Sequence, residues 1–192
     1  FVMELLEGQP LDGFLEAHGR LRLDEAVPVL RGVARALDAA HEKGILHRDI
    51  KPENIFLADD PEGGWFPKLL DFGIAKLLGT DEVRMERTRT GFMMGTPAYM
   101  SPEQARGKDV DHRTDIYSLG VIAYELFCGT PPFFHETAMD MVVAHMHSTP
   151  AAPSESRPGL SEAIDTLVLG MMEKHAGDRP SVAAIRASLA EI

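Results

Sequence analysis

The stretch from Thr114 to Cys128 is apolar on nearly every side, and Gly129-Thr130-Pro131-Pro132 ends it sharply. A helix that is apolar all round has no face to give to water, so it must be buried among other elements. This predicts a central helix beginning at Thr114 or Asp115, and the rest of the chain has to cover it. Helices are expected over about 136–147, 161–173 and 181–190. The 161–173 segment carries Ile164, Leu167, Val168, Met171 and Met172 at offsets of three, four, seven and eight, and the last carries Val182, Ile185 and Leu189. Before them, Asp24 is expected to cap a long amphipathic helix with Val27, Leu30, Val33, Leu37 and Ala40 on one face, Pro28 in its first turn and Gly44 as terminator. Ile45-Leu46, Ile55-Phe56-Leu57 and Lys68-Leu69-Leu70 read as small hairpin strands, with a turn over Asp59 to Gly64. Phe1 to Leu6 reads as the end of a buried strand, and Pro150 to Pro158 as a loop. The expected fold class is mainly α with small β-hairpins.

At 192 residues, with 44% hydrophobic and 26% charged residues, one soluble globular domain or part of one is expected. The net charge of −11 is spread without a basic stripe, so no nucleic-acid partner is expected. A nucleotide cofactor needs only a local site and stays open. The lone Cys128 lies in an apolar run and reads as a small core residue in a reducing compartment. No apolar segment approaches the roughly 18 residues of a membrane-spanning helix, and no basic-then-apolar leader opens the chain. His145 and His147 stand at i and i+2, which do not share a helix face, so they read as solvated helix histidines rather than metal ligands.

Chemistry concentrates in His47-Arg48-Asp49-Ile50-Lys51-Pro52-Glu53-Asn54, then Asp71-Phe72-Gly73, then Gly95-Thr96-Pro97-Ala98-Tyr99-Met100-Ser101-Pro102-Glu103. These match the ordered kinase signature H-R-D-L-x-x-x-N, D-F-G, A-P-E, with Ile50 for Leu and Ser101 for Ala. Phosphoryl transfer asks for metal to neutralise phosphate charge and for a group that orients the hydroxyl nucleophile. Asp49 is the candidate base for a serine or threonine hydroxyl. Asn54 and Asp71 form a hard-oxygen pair suited to Mg²⁺, or Mn²⁺, on ATP phosphates, and Lys51 offers a point charge to the transferring group.

The whole chain resembles the large, C-terminal lobe of the eukaryotic-type protein serine/threonine kinase family, in phrases such as Asp115-Ile116-Tyr117-Ser118-Leu119-Gly120-Val121 most like its bacterial branch. The resemblance implies a protein-kinase-like C-terminal lobe, α+β in the complete kinase, with a hinge at the first residues. It makes Met3 the gatekeeper, has Glu4 and Leu6 present backbone groups to adenine, and puts Phe56 under the base. Lys51 and the Gly95-Thr96 pair favour serine/threonine over tyrosine specificity, and the family threonine matching Thr96 bonds near the catalytic Asp and Lys. Arg48 and Lys76 match a pair that grips a phosphorylated activation-loop threonine, here Thr88 or Thr90, which implies a kinase dimer for autophosphorylation. Glu103 matches the glutamate that pairs with a distant arginine, here Arg179, and Asp115 the aspartate that braces the catalytic loop.

The family's glycine-rich loop, phosphate-binding lysine and partner glutamate find no match in residues 1–192. The expectation is a hinge plus large lobe, a piece of a longer cytoplasmic kinase or of the cytoplasmic part of a membrane-anchored one, with negligible turnover by itself. The alternative is a natural half-kinase acting as a binding scaffold.

Overall fold

The computed structural model describes residues 4–72 and 97–192. Among them the chain forms β1 (Gly8–Pro10), α1 (Leu11–His18), α2 (Leu23–His41), β2 (Ile55–Asp59), β3 (Trp65–Leu69), α3 (Pro102–Ala105), α4 (Arg113–Cys128), α5 (Ala138–His147), α6 (Pro153–Ser156), α7 (Glu162–Met171) and α8 (Val182–Glu191). Helix dominates and the strands make one small antiparallel sheet, β1-β2-β3, as the fold class anticipates.

The central helix is α4, where thirteen of sixteen residues are buried and Gly129 closes the C-terminus in the left-handed region at φ 87°. Its cover comes from α2 on one side and α7 on another. At Gly120 a Cβ atom would sit 2.8 Å from Cβ of Met171, so α4 and α7 approach where only hydrogen fits. Tyr117, Ile116, Leu119, Ile122 and Phe127 are almost wholly enclosed. Each such side chain contributes roughly 1.5–3 kcal/mol of burial.

Helix α2 departs from expectation at its start. The chain enters at Arg22, whose N–H is accepted at 2.9 Å by the Glu25 carboxylate, while Asp24 pairs with the Arg22 guanidinium. Asp24 is therefore a first-turn acid and not the cap, and Pro28 falls inside the helix. Gly44, at φ 70°, does end the helix, with Ile45 N–H returning to the Ala40 carbonyl at 2.9 Å. That return uses the backbone of Ile45, and Ile45-Leu46 forms no strand.

Residues 4–7 form no strand either, and Leu5 is 91% exposed. Glu4 reaches Nζ of Lys68 on β3 with both carboxylate oxygens at 2.7 Å, a charged tether in place of an apolar pairing. Within the expected loop over Pro150 to Pro158, Pro153 starts the single turn of α6.

His145 is the clearest correction: it is 0% exposed, not solvated. The buried face of α5 turns it onto α4, where its ring meets Phe133 edge-on and its Nδ1 shares a hydrogen bond with the Tyr117 hydroxyl at 2.9 Å. Lys174 Nζ caps the group, donating to the His145 carbonyl at 3.0 Å and to the Tyr117 oxygen at 3.3 Å. Burial, then the neighbouring Lys174 charge, pushes the His145 pKa down from 6.5 to about 4. Burial, then Arg179, pushes Lys174 down to about 8.

Between the two His145 values the unfolded chain binds the proton and the folded chain resists it. Stability should therefore fall as the pH drops from 6.5 toward 4, by on the order of 2–3 kcal/mol. Urea midpoints across that window should move less in His145→Gln than in the parent. An identical pH slope in both would contradict this.

Candidate active site

The loop from His47 to Asn54 leaves α2 and is shaped chiefly by one carboxylate. Asp115, buried in the first turn of α4, accepts the backbone N–H of His47 at 2.9 Å and that of Arg48 at 2.8 Å. His41, at the last turn of α2, adds its Nε2 at 2.8 Å. These bonds hold Arg48 at φ 64°, a left-handed conformation that costs a non-glycine residue about 1–3 kcal/mol. A further clamp comes from Gln104, whose Nε2 donates to the Arg48 carbonyl at 2.9 Å. Gln104 is itself fixed by a reciprocal cap with Ser101, since each accepts the other's backbone N–H.

The far side of the loop is tied to the exit of β3. His47 Nε2 donates to the Leu70 carbonyl at 2.8 Å, leaving Nδ1 to accept the Asp49 N–H at 3.3 Å. Leu70 N–H donates to the Asn54 carbonyl at 2.8 Å, and the Phe72 ring lies against His47, with centroids 4.9 Å apart. Asp71 follows directly, solvent-exposed and at φ 50°, a second non-glycine residue in the left-handed region. The β3 exit thus delivers Asp71 beside the loop that carries Asp49 and Asn54.

Within the loop, Lys51 Nζ stands 3.4 Å from Oδ2 of Asp49. Asn54, almost fully buried, donates its Nδ2 to the Asp49 carbonyl at 2.7 Å and to Asp49 Oδ2 at 3.2 Å. With the amide nitrogen committed, its oxygen is the atom left to accept. A neutral oxygen and one carboxylate suit a hard cation that draws its other ligands from water and phosphate, as Mg²⁺ does. No cluster of three His, Cys, Asp or Glu residues able to enclose a metal by themselves exists among the described residues.

The structure also puts Glu103 on Arg179 through two parallel bonds, Nη1 to Oε1 at 2.7 Å and Nη2 to Oε2 at 2.8 Å. Burial alone would raise the Glu103 pKa, but the bond and charge of Arg179 bring it below the usual range. Phe56 lies half-buried on β2 opposite Pro10 and Lys68, Leu6 is half-buried, and Glu4 stands on Lys68. Met3, Lys76, Thr88, Thr90 and Thr96 lie outside the described residues.

Several participants carry no mark in the sequence reading. His41 is one, and Gln104 another. Tyr99 is a third: its hydroxyl donates to Glu125 at 2.6 Å and its carbonyl accepts from Ser118 at 2.7 Å, holding the Pro97–Tyr99 turn on α4. Burial raises the Glu125 carboxyl pKa above its ordinary range. A Ser/Thr-x-x-Gln capping pattern at Ser101 was the signal available for Gln104.

Residues 1–189 match the protein kinase domain family. The chain belongs to that family. This kinase chain is 44% identical over 189 residues to a serine/threonine-protein kinase, Pkn1, of Myxococcus xanthus, covering 98% of the chain and 27% of the relative. It is 36% identical over 192 residues to the serine/threonine-protein kinase PknB of Mycobacterium tuberculosis, covering 100% of the chain and 30% of the relative. Among solved structures, a double mutant of the Mycobacterium tuberculosis PknI kinase domain superposes with a TM-score of 0.72 at 26% identity, over 98% of this chain and 63% of that one. The kinase chain spans less than a third of the length of these curated relatives. Among its described residues no helix is long and apolar enough to cross a membrane.

Proposed function

We propose that residues 1–192 are the hinge and large lobe of a cytoplasmic protein serine/threonine kinase that transfers the γ-phosphate of ATP to serine and threonine hydroxyls of proteins. The observation that carries this reading is the single carboxylate of Asp115, which holds the loop bearing Asp49, Lys51 and Asn54, while the Leu70 N–H on the Asn54 carbonyl ties the β3 exit, just before Asp71, to that loop. Asp49 orients the substrate hydroxyl and takes its proton as the bond to phosphorus forms. Lys51 places its ammonium against the transferring phosphate. Asn54 and Asp71 would hold Mg²⁺ or Mn²⁺, which neutralises phosphate charge when bound. Glu4 and Leu6 supply backbone groups to adenine and Phe56 packs beneath it. Thr96 takes the role of the family threonine that acts on the catalytic Asp and Lys, here Asp49 and Lys51, and Arg48 with Lys76 the role of receiving a phosphate placed on Thr88 or Thr90 by a second copy. The serine/threonine-protein kinases among the relatives support this reading.

The metal assignment has a direct test. In an ATP-transfer assay on the protein in its full natural length, chelating divalent metal should abolish transfer. Asp71→Asn should need far more Mg²⁺ for whatever rate remains, because one of the two protein ligands loses its charge. Transfer that survives chelation would overturn the assignment.

A further inference from the structure

Helices α2 and α8 pack along one another, and on the outer side of that contact they leave a cleft of about 320 Å³ lined by Arg31, Arg35, Ala183, Arg186 and Ala187. Arg31 and Arg35 stand one turn apart on α2, outside its buried stripe, so their side chains share a face. Ala183 and Ala187, also one turn apart, form the facing wall, and their single methyl groups leave open the space that longer side chains would fill. Arg186 is held from below by Asp38, Nη1 to Oδ2 at 2.6 Å. Among the described residues neither Arg31 nor Arg35 has a carboxylate within ion-pair distance, so the cleft carries more positive charge than the fold neutralises.

That concentration stands out on a chain of net charge −11. Guanidiniums gathered around one small space repel until an anion sits among them. Their planar forks meet tetrahedral oxygens two at a time. A carboxylate offers one charge and two oxygens to three such groups, whereas a phosphomonoester offers nearly two charges and three oxygens. A nucleic acid would need a basic track running beyond the cleft, and no further arginine or lysine lines it among the described residues. A lipid surface asks for about four to eight cations with apolar anchors beside them. None of the large apolar residues exposed on the described surface lines the cleft.

We propose that the cleft between α2 and α8 binds a phosphorylated serine or threonine in a segment of a partner protein. No residue of the cleft belongs to the 47–54 loop or to Asp71, so this site is separate from the transfer centre. It rests on the kinase reading only in that such an enzyme produces its ligand.

The test is fluorescence anisotropy of a labelled peptide with one phosphothreonine among Gly, Ser and Ala, measured without ATP on the protein in its full natural length. The phosphopeptide should bind and its unphosphorylated twin should not. Arg31→Gln and Arg35→Gln should each weaken binding about tenfold. The double variant should remove binding while its thermal midpoint stays at the parent's value, since neither arginine has a carboxylate partner among the described residues. Inorganic phosphate should compete only at far higher concentration. Equal binding of the twin, or full binding by the double variant, would overturn the proposal. So would tighter binding of inorganic phosphate, single-stranded DNA or phosphatidylserine vesicles than of the phosphopeptide. Because nothing is transferred in this assay, a protein without kinase activity that still binds the phosphopeptide through Arg31 and Arg35 would sink the kinase reading alone. An active kinase indifferent to the phosphopeptide would sink this one alone.

Discussion

Asp49→Asn should slow γ-phosphate transfer by about 10²–10⁴-fold while leaving affinity for MgATP near that of the parent. Asparagine keeps the shape of the side chain, and its amide oxygen can still accept from Asn54 Nδ2, which stands 3.2 Å from Oδ2 in the parent. The bond from Asn54 Nδ2 to the residue 49 backbone carbonyl, at 2.7 Å, does not involve the residue 49 side chain. The loop therefore keeps its form under Asp115. What disappears is the negative charge 3.4 Å from Lys51 and the ability to take a proton from the attacking hydroxyl. Single-turnover transfer and equilibrium MgATP binding, measured on the same preparation, separate the two effects. An unaltered single-turnover rate would remove Asp49 from the role of base.

Arg179→Met should destabilise the fold by about 3–5 kcal/mol. The Arg179 guanidinium is fully enclosed, and besides the two bonds to Glu103 it donates to the carbonyls of Arg113 and Glu173 at 2.7 and 2.8 Å. It also lies over the Tyr117 ring, 5.0 Å from the centroid. Methionine fills part of the volume but takes the guanidinium's donors away from the Glu103 carboxylate and two carbonyls. The cost appears as a lower urea midpoint and as a fall in Tm of roughly 10 °C for a domain of this size. Arg179→Lys should recover only part of it, because an ammonium cannot match both carboxylate oxygens at once. The Glu103 carboxyl is held below its ordinary range, so its contribution is complete above that range and is lost as the pH falls through the lower, folded value. In Arg179→Met that acid-side loss should shrink. A variant as stable as the parent would show that the pair is not what fastens α3 to the loop after α7.

The candidate catalytic loop was legible as a motif in the sequence because its residues are close together in the chain and each needs a particular side-chain chemistry. Asp49, Lys51 and Asn54 lie within six positions, and the chain brings Asp71 to them through one hairpin. Most of the longer helices were legible from their periodic apolar faces, and α4 from being apolar on nearly every side. What could not be read depends on partners far along the chain. His41 meets Asp115 across 74 positions, and nothing local to either residue announces the bond. His145 looked like a surface histidine because a helix shows its own period but not which neighbour covers it. Tyr117 and Phe133, from other elements, decide that. At the start of α2 Asp24 looked like the cap, but the chain enters at Arg22, whose N–H goes to the Glu25 carboxylate while Asp24 pairs with its guanidinium. The helix α1 went unremarked because it is one short element with Gly13 inside it, too brief for a convincing period.

The most direct test of the whole account is to incubate the protein in its full natural length with γ-labelled ATP, Mg²⁺ and a protein substrate, then hydrolyse the product and identify the labelled amino acid. Phosphoserine or phosphothreonine, formed by the parent and reduced about 10²–10⁴-fold in Asp49→Asn, is the predicted result. Label found only as inorganic phosphate, or on tyrosine, or equally in both proteins, would contradict it.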